Sequence, residues 1–270
     1  MTDTPRLTDP AALRRNRARA SEMFLHHDAR AEIEDRLALV NRTFTAPAIV
    51  TAFPDVWAPG WPGAEISADT DTLALRPEAH DLVIHALCLH WANDPVGQII
   101  QCRRALRPDG LFLAVLFGGQ TLHELRSALA TAESRLTGGL SPRVAPMAEI
   151  RDLGGLLQRA GLALPVADSL KLNTSYASPL HLMRDLRAMG EGNALAARLR
   201  RPTRRAILLE AARIYGETHG TPDGRIPATF ELIFLSGWAP DAAQPRPLRP
   251  GSATSRLADV LGVVEKPLKD

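Results

Sequence analysis

Lysine is nearly missing from this chain of 270 residues. It occurs only at positions 171, 266 and 269, so almost all of the 32 basic side chains are arginines. The arginines are dispersed, and against 30 acidic residues they leave a net charge of only +2. Nucleic-acid binding needs a concentrated basic face, so no nucleic-acid partner is expected. Cysteine is as scarce: only Cys88 and Cys102 occur, with no CxxC. That excludes a disulfide framework and a thiolate zinc site, and predicts two buried thiols in a reducing compartment. No apolar run approaches the ~20 residues of a membrane span. The N-terminus is polar and lacks an apolar core segment, so export is not expected and a cytoplasmic location is.

Several chemistries lack their signatures. There is no GxSxG elbow for a serine nucleophile, no GxxxxGK[ST] phosphate loop and no HExxH. No GxGxxG follows the first expected strand; Thr51-Ala52-Phe53-Pro54-Asp55 stands there. The N/D-P-P-aromatic motif of nucleic-acid methylases is absent too. His26-His27-Asp28 is formally an HxD, but it lies in an expected helix with no second histidine ligand identified, so no metal site is expected.

What the chain does have is an ordinary soluble composition, 45% apolar and 23% charged, in a length that suits one large α/β domain. Its organising stretch is Asp81–Gly119. Leu82–Leu87 is a nearly all-apolar run, as expected of a strand buried on both faces. Asp94 caps a helix that Pro95 opens, and Ile99, Ile100, Ala105 and Leu106 give it an apolar face. Arg107-Pro108-Asp109-Gly110 predicts a turn with positive φ at Gly110. Leu111–Phe117 is a second buried strand, completing a right-handed βαβ unit. The loop Cys88–Asn93 leaves the carboxyl end of a parallel strand, where open α/β sheets bind ligands. From spacing alone, Trp91 covers the sheet edge and His90 is solvated; the sharper alternative puts His90, Trp91 and Asn93 in a site.

In chain order, Arg14–Phe44 reads as one helix. Its basic start (Arg14, Arg15, Arg17, Arg19) is a solvated face or a peripheral membrane or partner contact. Short strands follow at Ala48–Thr51 and Glu65–Ala68, separated by the turn-rich Phe53–Gly63. After the central unit come helices at Thr121–Leu136 and Glu149–Ala160, one or two strands within Leu162–Ser175, helices at Pro179–Met189 and Thr203–Tyr215, and a strand at Ala228–Ser236. A terminal helix is expected at 255–261. The domains are therefore an N-terminal helical lead-in (1–44), an α/β domain (45–254) with a helical insertion around 178–216, and a tail (255–270).

The stretches DLVIHALCLHWANDP, RRALRPDGLFLAVLFGGQTLHELR, GGLSPRVAPMAEIRDLGGLLQRAG, DLRAMGEGNA, DGRIPATFELIFLSGW and RPGSAT, with Arg42-Thr43-Phe44 before them, carry a resemblance. Over about residues 14–254 the chain resembles class I S-adenosylmethionine (SAM)-dependent methyltransferases. It is most similar to the methyltransferase-like assembly factor of respiratory complex I, and more distantly to the biotin-pathway malonyl-carrier methyltransferase. The resemblance implies a Rossmann-like, parallel-core sheet with an antiparallel C-terminal strand and SAM as cofactor. It also implies a protein substrate, a complex I subunit, altered by methyl transfer or arginine hydroxylation.

The expected site lies at the carboxyl end of the sheet. His90, Trp91, Asn93 and Glu124 are its candidate catalytic residues, with Thr121 beside them. Asp69, Leu87, Gly118 and Gly119 are its candidate cofactor contacts. Met189, Gly190, Glu191 and Asn193 form a candidate lid, because a glycine-flanked helix end can hinge. The chain departs from the family where VTAFPDVW replaces the glycine-rich loop, since glycine lets backbone approach a ligand and frees amides at a helix start. The 29 residues from Ala52 to His80 leave room for one strand rather than two βα units, each needing roughly 20 residues. The first half of the fold should be truncated, and SAM should not bind in the usual way. The alternative to an enzyme is then a catalytically silent binding or assembly module.

Overall fold

A computed structural model describes residues 6–245, together with Ser255, Val260 and Gly262. The expected terminal helix and the RPGSAT motif fall almost wholly outside the described residues. The unit ending at Pro240 holds one mixed sheet. In the unit beginning at Asp241, the Asp241 and Ala243 amides close a local turn on the Gln244 and Asp241 side chains.

The sheet contains β1 (Pro47–Val50), β2 (Glu65–Ser67), β3 (His80–Ala86), β4 (Leu106–Phe117), β5 (Ala163–Tyr176) and β6 (Ile226–Trp238), in the order β2-β1-β3-β4-β6-β5. The first four are mutually parallel. β6 runs antiparallel to β4 and to the edge strand β5. Doubly wound sheets commonly place two strands outside the first one. Among the described residues only β2 lies outside β1, so the first half of the fold is truncated, as the short Ala52–His80 segment predicts.

Alternation along the strands sorts the core into two layers. Leu82, Ile84 and Ala86 of β3, Leu111, Leu113, Val115 and Phe117 of β4, and Phe230, Leu232 and Phe234 of β6 face one layer. It is covered by α2 (Phe24–Ala38), α5 (His123–Thr137), α7 (Pro179–Ala188) and α8 (Arg205–His219). Val83, Phe112, Ala114, Leu116, Ile233 and Leu235 face the other, under α4 (Pro95–Ala105) and α6 (Ile150–Arg159). Helices on both faces explain why β3 and β4 read as unbroken apolar runs. Asp94 caps α4 as expected, its Oδ1 accepting from the Gly97 amide at 2.8 Å. Cys88 and Cys102 are free and buried.

Two local expectations are corrected. The single N-terminal helix is two, α1 (Pro10–Arg17) and α2, with α3 (Pro54–Trp57) following β1. The break comes where the Ser21 and Glu22 amides both donate to Ala188 O, a tertiary bond that periodicity cannot reveal. The 107–110 turn belongs to the start of β4, and its positive φ falls on Asp109 (59°), not Gly110. Arg42 pairs with Asp109 there at 2.8 Å, and a Cβ on Gly110 would meet Arg107 O at 2.9 Å. The segment read as one or two strands within Leu162–Ser175 forms one, β5 (Ala163–Tyr176).

Candidate functional site

The carboxyl ends of β1, β3 and β4 converge on a group of polar side chains. β3 ends at Ala86, and Leu87 after it is a buried leucine held at φ 50° with its amide on Val115 O at 2.9 Å. A non-glycine residue in that region is strained and needs its surroundings to hold it. The strained residue leads into the turn Leu89–Trp91, which swings His90 and Trp91 over the end of the sheet. Trp91 Nε1 donates to Glu191 Oε2 at 2.8 Å, and His90 Nε2 lies 3.3 Å from the same oxygen. The His90 side chain is 5% exposed and sits edge-on to Phe117 with centroids 5.0 Å apart. The solvated His90 read from spacing is thereby corrected: Glu191, a hundred residues on, takes it out of water.

Glu191 is placed by the end of α7. Gly190, at φ 80°, turns the chain so closely that a Cβ there would lie 3.2 Å from Arg17 Cα. Burial alone would raise the Glu191 carboxyl. His90, the nearby Arg17 and the Trp91 indole outweigh it and hold the group below the usual carboxylate value. Met189 is buried in the core. Asn193 donates to Pro142 O at 2.9 Å and accepts from the Leu195 amide at 3.0 Å.

The structure brings His90, Trp91, Thr121, Glu191 and Asn193 together in the wall of one cavity of about 450 Å3. The other expected site residues lie outside its lining. Asn93 clamps the N-terminal segment, exchanging hydrogen bonds with Thr8 N (2.9 Å) and O (3.3 Å). Glu124 is buried and accepts from Thr229 Oγ1 at 2.6 Å. Gly118 donates to Glu231 O and ties the β4–α5 turn to β6, while Gly119 donates to Ala148 O in the loop before α6. Asp69 follows β2 and is gripped by Arg17, whose Nη1 lies 2.9 and 2.7 Å from its two carboxylate oxygens.

Arg17 is one residue beside the candidate site that the sequence reading missed, because it lies in a basic run that reads as solvated. His26 is another. It is 3% exposed, accepts from Trp57 Nε1 at 3.1 Å and meets the Phe53 ring edge-on at 4.7 Å. These rings pack around the chain that leaves β1, where a glycine loop would run. The density of aromatics in FPDVWAPGW was the available signal. Among the described residues no group of three potential ligands is arranged for a metal ion, and no helix is long and apolar enough to cross a membrane.

Comparison with known proteins bears on this arrangement. A profile described as a methyltransferase domain matches residues 57–114. An arginine-hydroxylase NDUFAF5, mitochondrial, of Danio rerio is 38% identical over 199 residues, covering 74% of this chain and 62% of that protein. A malonyl-[acyl-carrier protein] O-methyltransferase of Laribacter hongkongensis is 35% identical over 183 residues, 68% of this chain and 59% of that one. The chain thus spans about three fifths of these relatives' length. A Bacillus halodurans protein described as a candidate methyltransferase has a crystal structure that superposes with a TM-score of 0.50 at 13% identity, covering 78% of this chain and 98% of that one.

Proposed function

Starting from a chain with a class I methyltransferase fold that closely matches the arginine-hydroxylase NDUFAF5 proteins, we propose that it is a protein-binding module of complex I assembly that works without SAM. The observation that carries this reading is the Arg17–Asp69 pair. Asp69 is the acidic residue after β2 left to hold a nucleoside, and both of its oxygens are already taken by an arginine of the same chain.

Three further features support it. Phe53, His26 and Trp57 fill the region beyond β1 with rings, and Pro54 offers no amide where backbone donors would be needed. Among the described residues only one strand lies outside β1. Seating SAM would require breaking a buried ion pair and displacing packed aromatics, so the residues present do not fit the cofactor. The cavity that remains is lined by protein groups suited to a partner's side chain. The resemblance to the methyltransferase-like assembly factor of respiratory complex I points to a subunit of that complex as the partner.

Isothermal titration of the full chain with SAM is the direct test, and no binding up to millimolar concentration is expected. A native pull-down should recover a complex I subunit or its precursor. Micromolar SAM binding that is lost on Asp69→Ala overturns the reading. It would favour the second one, an enzyme modifying the bound partner, for which the enclosed His90–Glu191 pair is the specific observation.

A further inference from the structure

Two segments far apart in the chain are stitched together beside the cavity. The first, residues 7–20, carries α1; the second, residues 191–198, follows α7. Thr8 and Leu195 form an isolated antiparallel bridge. The Asp9 amide donates to Ala194 O and the Ala196 amide to Leu7 O, both at 2.8 Å. Arg198 Nη2 donates to Asp9 Oδ2 at 2.9 Å, and Asn16 Nδ2 to Gly192 O at 2.8 Å. Asn16, Arg19, Glu191 and Arg198 line the cavity.

This seam rests on polar ties more than on burial. α1 buries only Ala12 and Leu13. They pack with Trp91, Ala145, Ala194 and Leu195 in a cluster separate from the two layers of the main core. Half of that cluster is alanine, so it removes little apolar surface from water. A satellite cluster of this kind opens at a lower free energy than the core beside it. Thr8 Oγ1 and Arg17 Nε are buried at the seam without partners among the described residues, and opening hydrates both. Each segment also has a place to bend. Residues 18–23, between α1 and α2, are not helical, and Gly190 precedes the second segment at φ 80°.

We propose that residues 7–20 and 191–198 form one gate, which opens as a single unit and exposes Trp91 and Glu191 to what the cavity receives. The bridge makes the two segments move together. Either one leaving alone would strand the backbone donors and acceptors of the other. Opening gives up the Asn93–Thr8 bonds and the Arg17–Asp69 pair, and leaves the hydrogen bonds of the sheet intact. The gate is independent of which partner the cavity takes.

Native-state hydrogen exchange on the full chain labelled with 15N tests this. The Asp9 and Ala196 amides report the bridge, and the Trp91 indole N–H, which donates to Glu191, reports the wall behind it. The Leu87 amide, on Val115 O, reports the core. Loss of one indole signal in Trp91→Phe identifies the right one. After correction for intrinsic rates, the three gate protons are expected to exchange alike, with a small urea dependence, and about a hundredfold faster than the core amide. Thr8→Cys with Leu195→Cys then adds a reducible staple. The backbone bonds flank this pair, which puts its Cα atoms roughly 4.5 Å apart, within disulfide range. The closed staple should slow all three protons toward the core rate, and dithiothreitol should restore them. Where the staple does not form, Asp9→Ala serves instead. It removes the cap of α1 and the pair with Arg198, and should speed all three protons about tenfold. Gate protons that exchange only together with the core amide overturn the proposal, because no opening short of unfolding then exists. Unlike urea slopes among the three overturn it as well, since the segments then open separately. So does a Trp91 indole that stays fast in the stapled chain or unchanged in Asp9→Ala.

Discussion

Arg17 and Asp69 form an ion pair across 52 residues of sequence, with both side chains only 11% exposed. The pair ties α1 to the carboxyl edge of the sheet, at the acidic residue expected from the sequence to contact the cofactor. Removing one partner of a buried pair leaves a charge without compensation. Arg17→Met is therefore expected to lower stability by about 1–3 kcal/mol, whereas Arg17→Met with Asp69→Leu should recover much of the loss. Urea denaturation of the three proteins measures both quantities. A single variant as stable as the parent would mean that water already reaches Asp69.

Much of this architecture is written in local patterns. Unbroken apolar runs marked β3 and β4, Asp94-Pro95 marked the start of α4, and the short segment after β1 marked the missing strand. The site was legible only in part. His90, Trp91, Glu191 and Asn193 were named, and the structure places them together. Their convergence depends on Gly190 turning the chain toward Arg17, a contact between residues 173 positions apart that no periodicity encodes. Asn93 and Glu124 looked like site residues because polar groups near a strand end usually are. Each is instead consumed by backbone or a neighbouring side chain, Thr8 and Thr229. Arg17 was hidden for the converse reason: one arginine among four is buried, and composition cannot say which.

Two histidines make the fold sensitive to mild acid. Burial pulls both His26 and His85 from 6.5 down to about 4, in His85 against a hydrogen bond to Gln98 that favours the charged form. Between those values the unfolded chain binds protons that the native chain refuses. Stability therefore rises with pH across that window and is lost as pH falls from about 6.5 toward 4. The urea midpoint should drop steadily from pH 7 to pH 4.5. His26→Phe keeps a ring against Phe53 and should flatten that slope, while losing stability at every pH because Trp57 Nε1 no longer has an acceptor. An unchanged slope would show that His26 takes up its proton without unfolding.

Glu133 acts in a lower window. Its bonds from Arg143 hold its carboxyl at about 2 against an ordinary 4.5, over the opposing effect of burial, with Ser141 adding further bonds. Here too the unfolded state binds the extra proton. The stabilisation is complete above 4.5 and is lost as pH falls toward 2. Glu133→Gln should remove that part of the acid dependence. It should also loosen Ser141–Met147, which hydrogen exchange at neutral pH would report as faster exchange of Val144 and Ala145. Identical acid transitions in the two proteins would assign the acid sensitivity to other carboxylates.

Gly119 gives the sharpest steric prediction, because two costs meet at one position. Its φ of 50° is a left-handed conformation that costs an L-residue about 1–2 kcal/mol. A Cβ there would also lie 2.3 Å from Glu231 Oε2. That carboxylate cannot simply swing away, because Glu231 is buried and its Oε2 accepts from the Gln120 amide at 2.9 Å. Displacing it sacrifices a hydrogen bond to a charged group, worth about 1.5–3 kcal/mol. Gly119→Ala should therefore lose about 2.5–5 kcal/mol by urea denaturation. In a Glu231→Ala background only the backbone cost remains, and the same substitution should lose about 1–2 kcal/mol. The difference between the two backgrounds is the coupling between the turn and β6. Equal losses in both would place the whole cost in the backbone and leave Glu231 free of the turn that carries Thr121 into the cavity wall.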